Sequence, residues 1–207
     1  MEFGSTDEVI ALEVSADHID KFEILLDRYE VELYRFVNNL MHNEQATEEI
    51  LTVVFARFFA DLADNNLPEV VKIKLYQLAL LTISDLSNSL RPYLAEQSAE
   101  QLELIFKEAH QTEAEQIVEL ESFVEIVTSY LMRLPFEYRV TQVLTDMQGF
   151  SLEEAAHVLN VPLIEVEQRY SRGRSLLRRW VANDGFIGLV EAFQCEQSNQ
   201  GFCLTRN

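Results

Sequence analysis

The sequence predicts an all-α protein, with an N-terminal bundle of three to four helices, an acidic linker and a C-terminal helix-turn-helix domain. Three observations predict it. Apolar residues recur at steps of three and four along most of the chain, the spacing of one helix face. Only six Gly and four Pro occur in 207 residues, too few for the turns of an all-β architecture. A hydrophobic content of 48% is enough to build a buried core, so the acidic composition does not describe a disordered tail.

Residues 1–18 read as an acidic lead. From Asp20 the positions Phe22, Leu25, Leu26, Tyr29, Leu33, Phe36, Val37 and Leu40 form one face of an amphipathic helix, which Asn43 interrupts. A second helix is expected from near Ala46, carrying Ile50, Val53, Val54, Phe55, Phe58 and Phe59, and ending at Asp64-Asn65-Asn66. Pro68 suits the first turn of a third helix, which runs through Val71, Leu75, Leu78, Ala79 and Ile83 until Pro92 stops it. These helices define a first domain over residues 19–92. Residues 93–117, rich in Glu, Gln and Ala, read as the linker.

A second domain is expected over 118–183, with helices near Val118–Met132, Phe136–Asp146, Leu152–Leu159 and Leu163–Val181. Ser151-Leu-Glu-Glu154 fits a capping box, in which the Ser side chain accepts a backbone N–H and the Glu reaches back. Asn160 tolerates the left-handed conformation that a tight turn needs, and Pro162 opens the next helix. In a DNA reader, the helix after such a turn enters the major groove. Here that helix carries Gln168, Arg169, Arg172, Arg174, Arg178 and Arg179, and guanidiniums at these spacings can grip phosphates or read guanine edges. Leu163, Val166, Tyr170, Leu177 and Val181 are expected on its buried face. The tail, 184–207, is expected to hold one short apolar helix, Phe186–Phe193, and a polar end.

Charge is unevenly spread under a net formal charge of −19. Residues 1–91 hold 7 basic and 17 acidic side chains, whereas residues 133–181 hold 7 and 6, so only the helix-turn-helix region lacks an acidic excess. No apolar run approaches the roughly 18 residues of a membrane span, and the N-terminus does not read as a signal peptide, so the cytoplasm is the expected location. Cys195 and Cys203 read as a reduced pair, with a disulfide staple between them as the alternative. His18, His42, His110 and His157 make no metal-ligand spacing, and no nucleophile–base pairing or phosphate loop appears. Neither an enzyme nor a cofactor is expected.

Three stretches of the second half carry a specific resemblance: Leu131-Met-Arg-Leu134-Pro135-Phe-Glu-Tyr-Arg139-Val, Gly149-Phe-Ser151-Leu-Glu-Glu154-Ala-Ala, and Arg169-Tyr-Ser-Arg172-Gly-Arg174-Ser-Leu-Leu-Arg178. Together they resemble the promoter-reading C-terminal domain of bacterial RNA polymerase sigma factors of the extracytoplasmic-function (ECF) group. Leu33-Tyr34-Arg35, Ala46-Thr-Glu48-Glu49-Ile-Leu with Val54-Phe55, and Leu75-Tyr76-Gln-Leu78-Ala79 with Asp85 follow the order of that family's first domain. The resemblance covers roughly residues 20–181. It implies a factor that recruits core RNA polymerase to promoter DNA, in some cases under control of an anti-sigma factor. Glu48, Glu49 and Thr52 would meet polymerase, the third helix would capture the −10 strand, and the arginines of the last helix would read the −35 element.

The sequence also departs from that family. Thr52-Val53 stand where a Gln-Glu couple is usual, the third helix is poor in cations, and Glu165 and Glu167 open the reading helix. A single strand needs a positive groove and stacking platforms, and a carboxylate repels phosphate. Two other readings therefore stay open: a sigma-like mimic that binds an anti-sigma factor or another protein without reading a promoter, and an unrelated dimeric helix-turn-helix regulator on a palindromic site.

Overall fold

The computed structural model describes residues 6–16, 18–94 and 120–183, and all regular structure among them is helical. Most of the linker, the tail with Phe186–Phe193, and Cys195 and Cys203 lie outside the described residues.

The acidic lead is not a lead. Asp7–Ser15 forms helix α1, because Ile10, Ala11 and Val14 make a short apolar strip that is buried in the core. Asp7, Glu8 and Glu13 give the segment its acidic cast, and the exposed Val9 and Leu12 blur the strip's spacing. Asp7 ties α1 to the next helix, pairing with Arg28 and accepting from the Tyr29 hydroxyl. Burial, ahead of the neighbouring charges, pushes that hydroxyl's pKa up to about 12, so it stays a donor at any physiological pH.

After a single 3₁₀ turn at Ile19–Lys21, α2 runs from Phe22 to Met41 and buries Leu25, Tyr29, Leu33, Phe36, Val37 and Leu40, the stripe that its periodicity predicts. His42 ends it in the left-handed conformation (φ 49°). Asn43 then starts α3, Glu44–Ala63, its side chain accepting from Ala46 N at 2.9 Å. Helix α4, Val71–Leu94, differs from expectation at both ends. Pro68 lies outside it, since the first helical hydrogen bond runs from Lys74 N to Val70 O (3.1 Å). Pro92 does not stop it: the helix continues two residues beyond, to Leu94. Aromatic rings lock the bundle: Phe22 lies 5.1 Å from Phe59 edge-on, and Phe36 lies 4.8 Å from Tyr76.

In the second half, α5 spans Leu120–Arg133 and α6 spans Phe136–Gln142. The backbone then widens into one π turn, Val143–Met147, closed by Gln148 N donating to Val143 O at 3.0 Å. An uninterrupted α-helix was expected to Asp146. The Thr145 hydroxyl donates to the Thr141 carbonyl at 2.9 Å, a side-chain competition that loosens a helical ladder. Gly149 turns the chain at φ 72°. Helix α7, Leu152–Leu159, opens on the complete capping box: Glu154 N donates to Ser151 Oγ at 3.1 Å, and Ser151 N donates to Glu154 Oε2 at 2.8 Å. Asn160 takes the left-handed conformation (φ 52°), and α8 follows as Leu163–Asn183.

One hydrophobic core runs through both halves. It joins Leu33, Phe36, Leu75 and Tyr76 of the first bundle to Val140, Leu144, Phe150, Ala155 and Val166 of the second. A smaller cluster of Val127, Tyr130, Leu131, Leu134, Leu177 and Val181 closes α5 on the far end of α8. Helices α6 and α8 pack tightly at Gly173, where a β-carbon would stand 2.8 Å from the Gln142 amide nitrogen. That amide is buried and donates to Tyr170 O at 2.9 Å, so it has little room to yield. Gly173→Val is expected to cost about 1–3 kcal/mol by overpacking, read as a lowered midpoint in urea unfolding.

A candidate nucleic-acid interface on the last helix

Helix α8 sorts its side chains by face. Val166, Gly173, Leu177 and Val181 are buried, and Ile164, Gln168, Ser171, Arg172, Ser175 and Arg179 form an exposed stripe at helical spacing. Leu163, expected on the buried face, is exposed, because it sits at the open leading end beside Pro162. Tyr170 is half-buried.

The basic residues of this helix take three different positions. Arg172 and Arg179 lie on the outer stripe with Gln168, and neither has an ion-pair partner among the described residues. Arg169 is partly buried and pairs with Glu165 one turn earlier. Arg178 is half-buried, and Arg174 folds back onto its own domain. Its Nη1 donates to the Tyr170 hydroxyl at 2.9 Å, its guanidinium lies over that ring at 5.3 Å, and the hydroxyl in turn donates to Asp146 Oδ1 at 3.0 Å. Gln168, Arg172 and Arg179 therefore offer what a duplex could meet directly, and Arg174 braces Tyr170, which ties the helix to the π turn.

Burial raises the pKa of the Asp146 carboxyl above its ordinary value, against the opposing pull of Arg174 and the Tyr170 hydrogen bond. A carboxyl with a raised folded pKa binds more protons folded than unfolded, so stability falls as pH rises from the ordinary carboxylate range through the folded pKa. Asp146→Asn is expected to remove that slope and leave the Tyr170 contact in place. Thermal melts of both proteins across the acidic range check this, and parallel profiles would contradict it.

Helix α3 presents a second surface. Glu48, Glu49 and Thr52 are all exposed on its outer face, beside Val53 at 39% exposure. The Thr52 hydroxyl donates to Glu48 O at 2.9 Å, and Gln45 Nε2 donates to Glu49 Oε1 at 3.3 Å. Near the start of α4, the cations are already engaged. Lys74 pairs with Asp61 at 2.8 Å and Lys72 with Glu32 at 3.4 Å, so the local field offers little to a phosphate backbone.

Arg139 is the residue that sequence reasoning missed. Its guanidinium donates to Leu131 O (3.1 Å), Met132 O (2.8 Å) and Leu134 O (3.1 Å), and to Leu40 O at the end of α2 (3.0 Å). It closes the carbonyl-bearing ends of α5 and α2 together, where the helix dipole favours a cation. Burial lowers its pKa, so these hydrogen bonds must offset a desolvation cost. A lone arginine between Tyr138 and the core residue Val140 was the available signal.

A helical bundle joined to a capped helix-turn-helix defines a class of DNA-reading proteins. Comparison with known proteins finds similar chains. No protein-family profile matches the chain. The ECF RNA polymerase sigma factor SigW of Bacillus subtilis is 24% identical over 166 residues, covering 77% of this chain and 88% of that protein. The RNA polymerase sigma factor SigZ of the same organism is 26% identical over 159 residues, covering 76% and 85%. The fold matches that of CnrH, solved with the cytosolic domain of CnrY, at a TM-score of 0.63 and 23% identity over 87% of this chain and 100% of the other. It also matches RpoE of Bartonella quintana, solved with the anti-sigma factor NepR, at a TM-score of 0.55 and 18% identity over 79% and 98%. The chain is therefore similar in sequence to these two RNA polymerase sigma factors over most of its length, and shares the fold of the two solved ones.

Proposed function

We propose that the chain is an ECF-type sigma factor that directs core RNA polymerase to a specific set of promoters. The observation that carries this reading is the exposed stripe of Gln168, Arg172 and Arg179 on a capped helix-turn-helix, in a chain similar to SigW and SigZ. In this reading α8 enters the major groove of the upstream promoter element. Arg172 and Gln168 reach base edges, and Arg179 holds phosphate. The outer face of α3, with Glu48, Glu49 and Thr52, docks on core polymerase. An anti-sigma factor is the second proposed partner, by analogy with the complexes of CnrH and RpoE, and the cytoplasm is the proposed location.

The net charge of −19 fits a factor that relies on polymerase to bring it to DNA, since long-range repulsion slows its own encounter with a duplex. The test is co-elution of the purified chain with core RNA polymerase. Glu48→Lys/Glu49→Lys is expected to abolish co-elution with the melting temperature preserved, because both side chains are exposed. Wild-type co-elution with unchanged binding by the double variant would move the docking face elsewhere. Ion-paired Lys72 and Lys74 favour a second reading, the mimic that binds protein without melting a promoter. Co-elution with no transcript from any template would assign it.

A further inference from the structure

We propose that Ile164 is a specificity-determining residue that packs on the 5-methyl group of a thymine in the major groove, beside an adenine read by Gln168, so that the leading end of α8 selects A·T pairs. The proposal rests on the sigma-factor reading above. Ile164 is 60% exposed, the most exposed large apolar side chain among the described residues. It is the second residue of α8, and the N-terminal residues of a helix in this position are the ones that reach base edges. Its neighbour Leu163 lines a cleft that also holds Val70 and Ile73, and Ile164 stands outside that lining. Of the two apolar residues that open α8, one faces the first bundle and the other faces solvent on the reading stripe.

The surroundings of Ile164 suit a base edge and not a phosphate. Helical spacing puts Ile164, Gln168, Ser171 and Ser175 along the middle of the exposed stripe, Arg172 and Arg179 toward one flank, and the exposed Glu167 toward the other. The middle line thus carries an aliphatic side chain, an amide and two hydroxyls, and no charge. An aliphatic side chain cannot hold a phosphate, and in the major groove the apolar group it can cover is the thymine methyl. Glu165 pairs with Arg169, so that carboxylate does not meet the strand as an unpaired charge. Glu167 has only a cytosine amine to accept from in the groove. The Gln168 amide matches the N6 and N7 edge of adenine. Four residues of helix rise about 6 Å, and bases along a strand are about 3.4 Å apart. The thymine under Ile164 and the adenine under Gln168 therefore fall within about two base pairs of each other.

In the test, holoenzyme made with the full chain selects duplexes from a pool whose upstream segment is randomised. The selected duplex is then remade with deoxyuridine at each thymine in turn, a change that removes only the methyl group. At one position the wild-type holoenzyme is expected to bind about fourfold more weakly. Ile164→Ala is expected to bind the thymine and uracil duplexes alike, with its melting temperature unchanged because the side chain is exposed. Gln168→Ala is expected to lose at least about fivefold in its preference for the adenine within two base pairs, and to keep the uracil effect. A duplex with no uracil-sensitive position overturns the proposal, and so does a uracil effect that persists in Ile164→Ala. Weaker co-elution of Ile164→Ala with polymerase, with no change in base preference, makes Ile164 a polymerase contact and also overturns it. A wild-type chain that fails to co-elute with polymerase overturns the sigma-factor reading instead. The same pool is then offered to the free chain at low salt, where the uracil comparison still decides the role of Ile164, and a pool with no enriched sequence counts against it.

Discussion

Arg172→Glu is expected to remove specific promoter binding by the holoenzyme and leave the fold intact. The guanidinium is exposed in the middle of the outer stripe of α8, with no ion-pair partner among the described residues to lose. A bidentate contact to a guanine edge discriminates by about 1–3 kcal/mol, so Arg172→Ala alone should weaken specific binding by roughly 5- to 150-fold. Reversal adds repulsion between the new carboxylate and the phosphates. Arg174→Ala should behave differently. It loses the hydrogen bond and ring contact that brace Tyr170, the residue that ties α8 to Asp146, so its melting temperature should fall before any DNA effect is separable. Gel-shift titration of holoenzyme at fixed salt, beside thermal melts of the free chains, separates the two. Wild-type binding by Arg172→Glu would remove α8 as the reader.

Arg139→Met is expected to be the most destabilising single change at the boundary between the halves. Its guanidinium satisfies four carbonyls from two helix ends and the intervening turn. Hydrogen bonds to a charged group contribute about 1.5–3 kcal/mol each and are not additive, so a total loss of roughly 2–4 kcal/mol is expected. Lysine should not rescue it, because one ammonium cannot span the fork that the guanidinium fills. Urea unfolding of Arg139→Met and Arg139→Lys measures this, and a midpoint within error of wild type would contradict it.

Local signals made much of the architecture legible in the sequence. The stripe from Leu25 to Leu40 buries as its spacing requires, and Ser151, Glu154, Asn160 and Pro162 mark the helix-turn-helix where it stands. The failures have physical causes. Helix α1 went unseen because its nine residues are too few to show a clear period, with three apolar side chains buried and two more, Val9 and Leu12, exposed. The π turn at Val143–Met147 depends on competition between a side chain and the backbone, which hydrophobic spacing does not register. At the candidate site, helix periodicity put Arg172 and Arg174 on one basic helix but could not tell which faces outward. That is decided by Asp146, 28 residues before Arg174, through Tyr170. The union of the two halves across Tyr76, Phe150 and Arg139 is a tertiary fact with no periodic signature.

Promoter-directed transcription by reconstituted holoenzyme tests the central claim most directly. Core RNA polymerase and the purified chain, given a library of genomic fragments from its own organism, should yield discrete run-off products that vanish with Arg172→Glu. Equal transcription with and without the chain, or products that survive Arg172→Glu unchanged, would contradict the account.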